Sequence, residues 1–289
     1  MLAPSGAGAY GSSLPATTGR CNEEATVRHA LHHDVFIREA GREDGPDTVL
    51  WIHGLGESGL GFEGVLDRPE LAGWRHIAPD LPGYGRTAWT REPRPLAEQA
   101  ELLADLAAER AGGPVVLAGH SMGGVVALLM AERSRTLVRG VIDIDGNKSP
   151  DDCTFSGQAA AQEPGTFAGG GFDALREAVY ATGAEEPAQR GYYASLRLAS
   201  PAQFWLNSQE LVEMSARGDL AGRLAAVAGR GIRVAYLAGT PGGASAASRR
   251  LLAEARVPVV EIAPAGHWPF LDQPDAFSAA VAAFLAEVS

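Results

Sequence analysis

Gly119-His120-Ser121-Met122-Gly123 places a serine between two glycines, the Gly-x-Ser-x-Gly pattern of a nucleophile held on a sharp strand-to-helix turn. Small residues are required at both ends because such a turn is strained and passes close to neighbouring backbone. A serine hydroxyl is a poor nucleophile near neutral pH, so a base must accept its proton during attack, and histidine is the natural base. His267, in Ala265-Gly266-His267-Trp268-Pro269, fits that role better by chain order than the other histidines.

The third part of such a constellation is a carboxylate that fixes the imidazole tautomer and stabilises its charged form. Gly239-Thr240-Pro241-Gly242-Gly243-Ala244-Ser245 carries no acid, and none follows until Glu254. Val141-Ile142-Asp143-Ile144-Asp145-Gly146 offers two instead. Asp145 lies at the strand end and is favoured; Asp143 points the same way but about 7 Å deeper, at roughly 3.3 Å per residue. A strand-end aspartate that only binds backbone amides is the plain alternative for both. Developing oxyanion charge needs amide donors. The N–H of Met122 follows the nucleophile, and His53-Gly54-Leu55-Gly56 offers the N–H of Leu55.

Elements that would position these residues follow from the pattern of the chain. Thr26 to Glu39 reads as an antiparallel edge hairpin. Thr48–Ile52 is a short, almost wholly apolar run suited to a strand buried on both faces, Trp74–Ala78 and Val115–Ala118 read likewise, and Val138–Ile144, Ile232–Ala238 and Val257–Ile262 give three more strands. Pro95–Arg110, Met122–Arg133 and Pro274–Val288 read as helices. The alternation predicts an α/β fold with a mainly parallel sheet covered by helices on both faces. Ser121 and His267 then share the sheet's carboxyl edge.

Residues 147–220 break the rhythm and read as a helical cap rich in aromatics, entering after one strand and returning before another. The expected domain plan is therefore a tail over 1–22, a core over 23–146 and 221–289, and the cap between. Most of the cap aromatics should form its own core. Tyr192 and Trp205, with His120 and Trp268, are expected at the substrate pocket.

The chain has 289 residues, 46% hydrophobic and 20% charged, ordinary usage for one large globular domain. Its net charge of -11 argues against nucleic acid or anionic lipid as partner. Cys21 and Cys153 are too few for a disulfide framework and are expected as free thiols. No window is long and apolar enough for a membrane span. Residues 1–22 lack the basic and apolar regions of a secretory signal, so a cytoplasmic location is expected. A small-molecule, fairly apolar substrate is expected, with no metal or organic cofactor and a monomer or homodimer.

With His53-Gly54, Asp80-Leu81-Pro82-Gly83-Tyr84-Gly85, the Gly-His-Ser-Met-Gly elbow and Gly266-His267 in hand, the chain resembles the α/β-hydrolase superfamily from about Thr26 to Val288. The resemblance implies an α/β-hydrolase fold and a serine hydrolase that cleaves a carboxylic ester or lactone through an acyl-enzyme. Amide, thioester and carbon–carbon bond hydrolysis occur on the same fold. Most members carry their acid after the penultimate strand, where this chain has none; Asp145 resembles the placement in certain lactonases and dehalogenases. The serine argues against the branches with an aspartate nucleophile.

Two readings of another class compete. Gly54-Leu55-Gly56-Glu57-Ser58-Gly59, followed by Asp80, matches a dinucleotide fingerprint and would suit an oxidoreductase. A binding protein that keeps the fold without turnover is the other. His29, His32, His33 and Asp34 could suggest a metal site, but neighbours on a strand face opposite ways, so a solvated hairpin is expected.

Overall fold

The computed structural model describes residues 27–42 and 47–289. The tail expected over 1–22, with Cys21, lies outside the described residues.

Eight strands form one sheet in the order β1-β2-β4-β3-β5-β6-β7-β8. β1 (Arg28–His32) and β2 (Val35–Gly41) make the edge hairpin, and β2 runs antiparallel to β4 (Arg75–Pro79). β3 (Thr48–Ile52), β5 (Val115–His120), β6 (Val138–Ile144), β7 (Arg233–Gly242) and β8 (Val259–Gly266) continue in parallel from β4. Every residue of β3 and β5 is buried, which accounts for runs such as Thr-Val-Leu-Trp-Ile in place of alternation.

Helices cover both faces. On β6, Gly140 meets Phe284 of α9 (Pro274–Ala286), whereas Asp143, three residues along and facing the other way, meets Gly124 of α2 (Met122–Arg133). α2 packs on α1 (Leu96–Arg110) and on α7 (Leu220–Ala228), which also touches β7 and α8 (Ala246–Glu254). α8, a helix in which only Ser248 and Leu252 are buried, has no counterpart among the elements read from the sequence. The boundary drawn at 220/221 falls at the first residue of α7, a helix of the sheet layers.

Between β6 and β7 run α3 (Thr154–Ala160), α4 (Phe172–Thr182), α5 (Pro187–Leu196) and α6 (Pro201–Ala216). Phe167, Phe172 and Phe204 form a three-way ring cluster with centroids 5.3 to 5.7 Å apart. Such pairs add about 0.5–1.5 kcal/mol each beyond area burial, so this layer has a small core of its own.

One buried group gives the fold a pH dependence. His76 on β4 accepts from Trp51 Nε1 at 3.2 Å and donates from Nε2 to the Leu71 carbonyl at 2.9 Å, so its neutral tautomer is fixed. Burial pushes its pKa down to about 4, against a smaller opposing effect of the Leu71 carbonyl. The unfolded chain takes up the proton near its ordinary value of 6.5 and the native chain does not, so stability is present above that pH and lost as pH falls towards 4. At about 1.4 kcal/mol per pH unit, the loss from this group is roughly 3 kcal/mol. His76→Gln keeps an acceptor and a donor without a titrating site. Melting curves at pH 7 and pH 4 should show a smaller acid loss in the variant; equal losses would contradict this role for His76.

Candidate active site

Ser121 has φ 53 and ψ -117 between β5 and α2, a left-handed conformation that a non-glycine residue adopts only under constraint. The constraint is packing. A Cβ on Gly119 would come 2.2 Å from the Gly123 carbonyl oxygen, and one on Gly123 would come 2.1 Å from that of Ile52. The elbow therefore sits directly against β3, and both glycines are obligatory. Met122 opens α2, so its N–H has no acceptor within the helix.

His267 follows β8 and is half-buried, with Trp268 against it, ring centroids 5.3 Å apart. A cavity of about 30 Å³ is lined by Ser121, His267, Leu55, Tyr192, Trp268 and Asn147 among others. Ser121, His267 and the Leu55 segment thus line one cavity. Burial, and then the neighbouring His120, push the His267 pKa down to about 3. Its imidazole is consequently neutral, and able to accept a proton, across the neutral range.

Asp145 is buried with φ 43 at the end of β6. Its Oδ2 accepts from the Gly239 N–H at 2.9 Å and its Oδ1 from the Ala244 N–H at 2.8 Å. Burial raises its pKa to about 7, against those amides. No hydrogen bond joins its carboxylate to the His267 ring among the described residues, although both line a larger cavity of about 670 Å³. The amide bonds are what the plain alternative anticipates, and each oxygen retains a lone pair. They also explain why the β7 loop carries no acid: a Cβ on Gly243 would come 2.4 Å from Asp145 Oδ2, so the Asp145 carboxylate occupies that corner.

Asp143 is committed elsewhere. It is fully buried, 2.7 Å from Lys148 Nζ, and accepts from the Gly146 N–H.

The expected pocket residues divide. Tyr192 and Trp268 line the small cavity. Trp205 lies elsewhere, its indole donating to the Gln162 carbonyl at 2.8 Å in the helical layer. His120, fully buried, stands behind the site, with Nδ1 3.0 Å from Glu57 Oε2 and Nε2 2.7 Å from the His267 carbonyl. Its position in the elbow suggested a pocket wall, but its side chain turns inward to Glu57. Glu57 itself was missed; its only sequence signal was an acid four residues after His53, in an otherwise apolar and glycine-rich loop. Tyr192 Oη and Asn147 Oδ1 are buried beside the cavity without hydrogen-bond partners among the described residues.

The larger cavity shares His267, Trp268 and Phe155 with the smaller one. Asp151, Asp152, Glu185, Glu186 and Asp272 line it, and no lysine or arginine among the described residues does. Its mouth is acidic rather than uniformly apolar.

The dinucleotide reading fails on local structure. The segment after Gly54 leads into a 3₁₀ turn at Gly59–Phe62, not the helix that would receive a pyrophosphate. Asp80 is held by Arg38 at 2.6 Å, the Gly59 N–H at 2.8 Å and the Arg86 N–H at 2.7 Å, a turn-stabilising role. At the edge hairpin, alternation does not hold. His33 lies in the turn with φ 49, so it and His32 converge on Glu109 Oε2 at 3.0 and 2.9 Å, while His29 faces Glu63.

Comparison with known proteins gives a family match, a curated relative and two solved structures. The model of the alpha/beta hydrolase family matches residues 49–280. The lipase LipV of Mycobacterium tuberculosis is 34% identical over 113 residues, which is 39% of this chain and 41% of LipV. Among solved structures, the N-acyl homoserine lactonase AidH aligns with TM-score 0.70 and 20% identity over 91% of this chain and 98% of its own. The enol-lactonase of Burkholderia xenovorans aligns with TM-score 0.67 and 20% identity over 90% of this chain and 100% of its own. At that identity the two structures speak for the fold alone.

Proposed function

Because this chain belongs to the alpha/beta hydrolase family, we propose that it hydrolyses a carboxylic ester or lactone through an acyl-enzyme on Ser121. The observation that carries the reading is the strained Ser121 elbow opening onto the same cavity as a neutral His267.

Attack by Ser121 Oγ on the substrate carbonyl forms the new C–O bond as His267 takes the hydroxyl proton. The carbonyl oxygen becomes an oxyanion within reach of the Met122 and Leu55 N–H groups. Collapse expels the leaving alkoxide, to which His267 returns the proton. A water then repeats the sequence, releasing the acid and restoring Ser121. Asp145 orients His267 by rotation of the imidazole towards its carboxylate; among the described residues the resting His267 ring is hydrogen-bonded to neither Ser121 Oγ nor Asp145, so both contacts form on that rotation. The helices between β6 and β7 act as a cap that restricts water and selects substrate. The name of LipV favours the ester class over amides and thioesters.

A panel of p-nitrophenyl esters, lactones, thioesters and aminoacyl amides tests the proposal: turnover of esters or lactones is expected, and activity confined to thioesters or amides would contradict it.

The acidic mouth bears on substrate charge. Several carboxylates about 8–10 Å from an entering anion, each repelling it by a few tenths of a kcal/mol in water, disfavour it by about tenfold at low salt. The hemisuccinate ester of a given alcohol should therefore react about tenfold more slowly than its neutral butyrate ester, and the gap should narrow at high ionic strength. Equal rates at low salt would show that the substrate enters elsewhere. Tyr192 Oη and Asn147 Oδ1 favour a substrate with a polar group on its bound portion, since each is otherwise buried and unpaired.

A further inference from the structure

One carboxylate ties together the three loops on which the proposed chemistry depends. Glu57, 6% exposed, accepts from the Gly54 N–H at 2.9 Å, in the loop that carries Leu55. It accepts from Trp268 Nε1 at 2.8 Å, beside the base. It also faces His120 Nδ1 at 2.9 and 3.0 Å, beside the nucleophile. The other nitrogen of His120 points at the His267 carbonyl, 2.7 Å away. Both ring nitrogens therefore face acceptors, a carboxylate and a carbonyl. Neutral imidazole can donate from only one nitrogen, so this geometry calls for the imidazolium.

We propose that Glu57 is a positioning residue: with His120 it forms a buried ion pair that locks the His267 loop to the oxyanion loop and holds the His267 imidazole in its proton-accepting form. The inference rests on the reading of His267 as the base. The charges are consistent with it. Burial opposes ionisation of both partners, yet Glu57 is held down to about 2 by His120 and the surrounding donors, and His120 is raised above its ordinary value by Glu57. The His120 ring lies 4.7 Å from that of His267, so a proton on His267 would stand beside an existing positive charge.

The other groups around His267 act differently. Glu57 itself and Asp152, from the segment after β6, favour its protonation, less strongly than burial and His120 disfavour it. Asp145 and Asp272 share the larger cavity with it, and Tyr192, from α5, stays un-ionised because burial and Glu57 raise its pKa. The pair's net effect is thus to keep His267 neutral as pH falls. Without Glu57, buried His120 loses what keeps it charged, and both influences vanish together.

The test is the titration of His267 followed by NMR of its imidazole carbons, in the full chain and in Glu57→Gln. In the native protein the His267 resonances should stay at their neutral positions down to about pH 5, and in Glu57→Gln the midpoint should move up by about one pH unit or more. The acid limb of kcat/KM should move up with it. A purely structural Glu57 would lower stability or raise KM without moving either. Should Glu57→Gln fail to fold, Glu57→Gln/His120→Gln removes both charges with amides that can bond each other, and the same upward shift is expected. An unshifted His267 midpoint in a folded variant overturns the proposal. The NMR midpoint needs no turnover, so its failure is distinct from failure of the hydrolase reading, which would appear as absence of ester or lactone turnover in the native protein.

Discussion

Ser121→Ala should lower kcat/KM for the preferred ester or lactone by about 10⁴-fold or more while leaving the melting temperature within a few degrees of the native value. The rate loss follows from removal of the hydroxyl that the proposed mechanism acylates; what remains is binding and the amide donors proposed at Leu55 and Met122, which alone would sustain a small acceleration over water. Stability should hold because the elbow is fixed by Gly119, Gly123 and the Ser121 N–H bond to the Ile144 carbonyl at 2.9 Å, none of which uses the hydroxyl. Residual turnover within tenfold of native, in protein free of contaminating esterase, would move the chemistry off Ser121.

Asp145→Asn should cost about 10³- to 10⁴-fold in kcat with a modest change in stability. The amide oxygen of asparagine can keep one of the two backbone donors, from Gly239 or Ala244, but its NH₂ group meets the other donor and cannot accept from an imidazole. Asp143→Asn is the instructive comparison. It removes the charge facing Lys148, which is 1% exposed, and leaves a buried cation unpaired at a cost of about 3–5 kcal/mol. Its activity, measured well below its melting temperature, should stay within about tenfold of native. Loss of turnover in both variants is therefore informative only when read beside their melting curves. A well-folded Asp143→Asn without activity, next to an active Asp145→Asn, would reassign the acid.

Much of this was legible from the residues. Period and apolarity gave the strands to within a few residues, since β3, β5 and β6 are buried on both faces and their sequences are correspondingly continuous. The elbow was legible because glycines at 119 and 123 are demanded by backbone contacts near 2 Å, a constraint strong enough to mark the sequence. α8 left little trace because it buries only two side chains. Glu57 left only an isolated acid in a glycine-rich loop: its partners Trp268 and His120 are 211 and 63 residues away, and a side chain whose work is done by long-range hydrogen bonds has no local period. Trp205 was misplaced for the same reason, as which aromatics of residues 147–220 face the cavity is set by how the helices between β6 and β7 pack. The turn at His33 shows the converse error, where alternation was extended one residue past the end of β1.

The central claim, that Ser121 is an activated nucleophile beside a neutral His267, is tested most directly by a fluorophosphonate probe followed by peptide mass spectrometry. The native protein should form a single phosphonyl adduct on Ser121 at neutral pH, and His267→Ala should label at least about 100-fold more slowly. An unlabelled Ser121 in folded native protein, or labelling of His267→Ala at the native rate, would contradict it.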